Sequence, residues 1–81
     1  MQIDLHNIPL KEAKEIINNN ILYCIKNKVS SLEIIHGFNN GNKIKNYLNQ
    51  KSLKEKYTNI NYIQPGINNP GKTTIYFKIN I

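Results

Sequence analysis

The chain has no arginine, a single cysteine and few acidic residues. All eleven basic residues are lysine, so the planar fork that grips a base edge with two hydrogen bonds is missing and sequence-specific reading of duplex DNA is disfavoured. The lone Cys24 excludes an internal disulfide and a cysteine-built zinc site. It falls on the apolar stripe of a helical pattern, where a buried, inert thiol is expected. The longest apolar run is far short of the roughly 20 residues that cross a bilayer. No basic-then-apolar leader with a small-residue cleavage site opens the sequence, which predicts a cytoplasmic protein. Five acidic residues against eleven lysines leave a net charge of +6. Such a surplus suits salt-sensitive, sequence-independent attraction to phosphate, and equally suits lysines that merely solvate a small surface.

What remains is an ordinary amphipathic pattern. With 81 residues the expectation is one domain, residues 1–81, with a modest core and no deep substrate cavity. Gln2 to Leu5 alternates as a short strand, with Ile3 and Leu5 inward and Gln2, Asp4 and His6 outward. Pro9 suits the first turn of a helix, and Leu10, Ala13, Ile17, Ile21 and Cys24 then recur on one helical face. Ser31 to Ile35 reads as a second strand. A Gly/Asn-rich turn leads into a helix from Asn42 to about Gln50, and the Ser52–Glu55 spacing of a capping box predicts a short helical restart. Asn59 to Gln64 and Thr73 to Ile79 are the third and fourth strands, separated by Pro65, Gly66, Pro70 and Gly71. The order βαβαββ predicts an α/β, two-layer fold whose successive right-handed crossovers put both helices on one face and leave the other partly open.

Both histidines lie where a strand pattern ends, the edge at which open α/β layers bind ligands. Phosphodiester cleavage needs a base, an acid and positive charge on the phosphoryl group, and imidazole supplies the first two near neutral pH. Asp4 has three uses open to it: orienting His6, raising its basicity or holding a divalent ion. A Gly/Asn loop entering a helix offers backbone amides to phosphate, and Lys43 or Lys45 adds charge there. Tyr76, on the open face, can stack with an unpaired base or simply pack in its strand. Two histidines and one acid lack recognisable metal-ligand spacing, so no dedicated metal site is expected.

Taken in register, Ile3-Asp4-Leu5-His6, the loop from His36-Gly37 to Gly41, and Pro70-Gly71-Lys72-Thr73-Thr74-Ile75 resemble the small MutS-related (Smr) domain family across essentially the whole chain. The resemblance implies a mixed four-stranded sheet with two helices on one face, similar to the carboxyl-terminal domain of translation initiation factor 3. It implies an endonuclease acting on DNA or RNA with little sequence specificity, with Asp4, His6 and His36 as catalytic residues. Gly37, Asn39, Gly41, Lys43, Lys45 and Tyr76 would then contact nucleic acid, with either no cofactor or Mg or Mn. Two positions depart from the family pattern. Asn7 stands where a glycine is usual, and Asn39 takes the middle glycine place of a loop that is one residue longer. The altered loop motivates an alternative, a noncatalytic module for nucleic acid or the ribosome. A protein-interaction domain using the open face is a third reading. A monomer without membrane association is expected. The chain is compatible both with a short protein and with a domain of a larger MutS-type ATPase.

Overall fold

The computed structural model describes residues 1–37 and 41–78. Its elements are β1 (Gln2–Asp4), α1 (Leu10–Lys26), β2 (Ser31–Ile35), α2 (Gly41–Leu48), α3 (Lys51–Lys56), β3 (Ile60–Pro65) and β4 (Lys72–Phe77). The helical restart is therefore real and forms α3. Ser52 lies inside it rather than at its cap, which falls on Gln50 without a side-chain bond. Pro9 likewise occupies the cap position of α1, and its carbonyl accepts the Ala13 N–H at 2.8 Å. Ile79, expected at the end of the last strand, lies outside the described residues.

The four strands form one mixed sheet in the order β1-β2-β4-β3. β1 runs parallel to β2, and β4 is inserted between β2 and β3, antiparallel to both. The helix-linked β1 and β2 can be neighbours because a crossover joins them, whereas β3 and β4 need only the short Gly66–Gly71 turn. Ile3, Leu32, Ile34, Thr73, Ile75 and Ile63 share one face through this register. Against it pack Ala13, Ile17, Ile21 and Cys24 of α1, Ile44 and Leu48 of α2, and Leu53 of α3. Cys24 is buried, as its place on the apolar stripe predicts. Asn18 links the helices by donating to the Tyr47 hydroxyl at 2.8 Å and accepting from that of Tyr57. No helix among the described residues is long and apolar enough to cross a membrane.

The opposite face carries Asp4, Glu33, Lys72, Thr74, Tyr62 and Tyr76, and the described helices pack on the other one. Because β1 and β2 are parallel, their carboxyl ends coincide, with Asp4 opposite Ile35. The loops leaving those two strands are thereby brought together.

Candidate functional site

The first of these loops is built around Asp4. Its Oδ1 accepts the backbone N–H of His6 at 3.1 Å, a local turn that short acidic side chains favour. The same oxygen meets His6 Nδ1 at 2.5 Å. Asn7 then takes φ +65°, a conformation Asn tolerates better than most residues. The side chains of Asp4 and His6 are 51% and 59% exposed. The His6 side-chain bond, followed by its backbone N–H, holds the Asp4 carboxyl below its ordinary value, so the carboxylate stays charged at neutral pH. An anion on Nδ1 favours the tautomer with its proton there. That leaves the Nε2 lone pair available to a ligand.

The second loop lies under the first. Gly37 has φ +81°, and a Cβ on it would stand 3.3 Å from the Cβ of His6. The N–H groups of His36 and Gly37 both donate to the Gly71 carbonyl, at 2.8 and 3.1 Å. Gly71 belongs to the turn before β4, so the three segments singled out in the sequence meet at one edge of the sheet. Gly37→Ala is expected to destabilise the fold by about 1–2 kcal/mol through the left-handed backbone alone. Thermal denaturation would register this as a melting point lower by several degrees, together with a displaced His6 ring.

His36 continues the inward alternation of Leu32 and Ile34. Its ring is 1% exposed, on the helix side of the sheet, whereas Asp4 lies on the open side. Nδ1 lies 3.2 Å from the Gly37 carbonyl, which can only accept, so Nδ1 carries the proton. Nε2 is 2.9 Å from Thr73 Oγ1 and accepts from that hydroxyl in the neutral ring. The sequence expectation of a catalytic His36 thus meets an imidazole with both nitrogens engaged. Burial, assisted by the charge of Lys45, pushes its pKa below the ordinary 6.5. Since the unfolded chain then binds the extra proton more readily, stability is full above about pH 6.5 and declines as the pH falls below it. Urea denaturation of the His6→Ala protein, in which His36 is the remaining imidazole, should show lower stability at pH 5.0 than at 7.5. Equal stability would mean that His36 is not held neutral.

The remaining expected site residues divide. Lys45 is half-buried and acts on His36 through its charge. Lys43 is exposed and forms one wall of a groove of about 340 Å³ completed by Asn7, Ile8, Pro9 and Leu10, beside His6. Gly41 opens α2. Asn39 lies outside the described residues. Tyr76 sits on the open face but four positions along β4 from Lys72, roughly 13 Å from the edge that holds Asp4. The donor set offers Mg or Mn a single carboxylate, Asp4, and no all-protein cage among the described residues. Asp4 has one oxygen engaged by His6, and among the described residues no three His, Cys, Asp or Glu side chains could share an ion.

The three clustered segments are those that carry the family resemblance, and the comparison with known families decides the matter. The family model described as the Smr domain matches residues 3–78. The chain belongs to the Smr domain family. Among solved structures, the Smr domain of Thermus thermophilus MutS2 is similar in fold, with a TM-score of 0.72 at 16% identity over 95% of this chain and 96% of that one. No curated protein matches. Smr domains are known for nucleic-acid binding and nuclease-related function.

Lys72 of this Smr domain enters the sequence reading only as part of the closing motif, and Tyr62 does not enter it at all. Lys72, on the open face opposite Ile35, pairs with Glu33 at 3.1 Å and stands two strands from Asp4, about 10 Å across the sheet. Its position directly after Gly71 was the available signal. Tyr62 stacks on Tyr76 with ring centroids 4.6 Å apart. A register shift between Ile60 and Tyr62 turns Tyr62 to the open face, which simple alternation from the buried Ile60 does not predict.

Proposed function

We propose that this Smr domain is an endonuclease of low sequence specificity in which His6, oriented by Asp4, is the base. The observation that carries the reading is the short contact between an ionised carboxylate and an exposed imidazole at the carboxyl edge of the sheet. His6 Nε2 takes the proton from the attacking hydroxyl as its oxygen bonds to phosphorus. The departing oxygen, facing solvent, takes its proton from water. Lys43 and the amide edge that opens α2 hold the phosphoryl group and offset its growing negative charge. His36 is a positioning residue here. It fixes Gly37, and Gly37 supports His6 from below. The stacked Tyr62 and Tyr76 add an aromatic surface for unpaired bases on the same face.

The test is the purified chain with end-labelled single- and double-stranded RNA and DNA, in chelator and with Mg or Mn. Internal fragments are expected from at least one substrate. Intact strands in every condition, with binding retained, would overturn the catalytic reading in favour of a noncatalytic module. Binding itself should be weak, salt-sensitive and similar for unrelated sequences. Lys43→Gln with Lys45→Gln should weaken it uniformly and flatten its salt dependence, as read by fluorescence anisotropy across a salt series.

A further inference from the structure

The lysines are not spread evenly. At the end of the sheet opposite Asp4 and His6, two concavities meet at Lys78. One, of about 110 Å³, has Lys28 and Lys78 around a floor that includes Phe77. The other, of about 420 Å³, has Lys51, Lys54 and Lys78 around Ile60, with Glu55 as its single carboxylate. All four lysines are exposed. Among the described residues the only lysine in a salt bridge is Lys72, on the other side of the molecule. The remaining acids, Asp4, Glu12, Glu15 and Glu33, belong to β1, the first half of α1 and β2. Among the described residues, the grooves at the end of the sheet next to Ile60 and Phe77 are thus positive, with four lysines to one carboxylate.

We propose that these two joined grooves are a second docking surface, which holds the phosphodiester backbone of a strand at the far end of the sheet from the candidate site. The inference rests on the nucleic-acid reading above but adds a surface which that reading does not use. Two concavities sharing one lysine form a track rather than a flat patch, and a track of point charges suits a linear polyanion. Lysine ammonium groups can take up phosphates without giving up ion pairs, and condensed counterions leave the strand as they do so. The lack of arginine makes the contact indifferent to base identity. A strand that reaches both this track and His6 must cross the sheet, so the track acts on affinity and not on the chemical step.

The test is anisotropy of a labelled 20-nucleotide single-stranded RNA against salt, for wild type, Lys54→Gln with Lys78→Gln, and the charge-matched Lys11→Gln with Lys14→Gln on α1. The track variant should bind about tenfold more weakly at 0.1 M salt. The slope of log affinity against log salt should become shallower by roughly 1.4, about 0.7 for each phosphate that a lysine no longer neutralises. The α1 variant should change affinity less than twofold, and cleavage at saturating RNA should be unchanged in the track variant. Equal weakening in the two variants would overturn the inference, leaving only a general effect of charge. Polyglutamate competing as well as RNA at equal charge would also overturn it, in favour of an acidic protein partner. Failure of wild type to bind any nucleic acid would instead remove the nucleic-acid reading beneath it.

Discussion

Asp4→Asn and His6→Ala are each expected to slow cleavage by about a hundred- to ten-thousand-fold, the usual worth of a positioned general base. The double variant should lose little more than either single one, because a base and the group that orients it fail together. Asn at position 4 keeps an oxygen that can accept the His6 N–H but removes the charge that favours a proton on Nδ1. It therefore separates electrostatic orientation from local backbone geometry. Neither change should affect folding much, since both side chains are more than half exposed. Single-turnover rates on all four proteins, with circular dichroism as the check on folding, read the outcome. Losses that simply multiply in the double variant would mean that the two residues act separately.

The second large effect is on stability. His36→Ala should cost about 2–4 kcal/mol, because it opens a cavity and leaves the buried Thr73 hydroxyl without its 2.9 Å partner. For a domain of this size each kcal/mol lowers the melting point by roughly 4–8 °C, so a fall of about 8–32 °C is expected in a calorimetric scan. His36→Gln, which still offers Thr73 an acceptor, should lose distinctly less. If His36 only positions the loop, cleavage by the folded fraction of either variant should stay within about tenfold of wild type. A loss as deep as that of His6→Ala, in protein that remains folded, would make His36 catalytic after all.

The contrast between the two histidines explains how much of this site was legible in the sequence. Asp4 and His6 are two residues apart at a strand end, so their meeting is a local event that spacing and turn chemistry anticipate. Asn7, standing where the family has glycine, takes a positive φ that a short polar residue tolerates. His36 drew attention as a strand-end histidine next to glycine, yet the alternation of Leu32 and Ile34 already pointed it inward. That inward position became decisive only once Thr73 of β4 was seen beside it, and the insertion of β4 between β2 and β3 is a long-range fact that no local pattern carries. Tyr62 was hidden by a bulge, because one extra residue reverses the parity from which a strand's faces are read. The clustering of Lys51, Lys54 and Lys78 was hidden by long-range topology instead, since α3 and the residue after β4 are far apart in sequence and meet at one groove.

The central claim is that His6, held by Asp4, is the base of a phosphodiester-cleaving site. It is tested most directly by the single-turnover cleavage of one end-labelled single-stranded RNA, in chelator and with Mg, by wild type and by His6→Ala prepared identically. The account predicts internal fragments from wild type and at least a hundredfold slower cleavage by His6→Ala, with RNA affinity unchanged. Equal cleavage rates from the two proteins would contradict it.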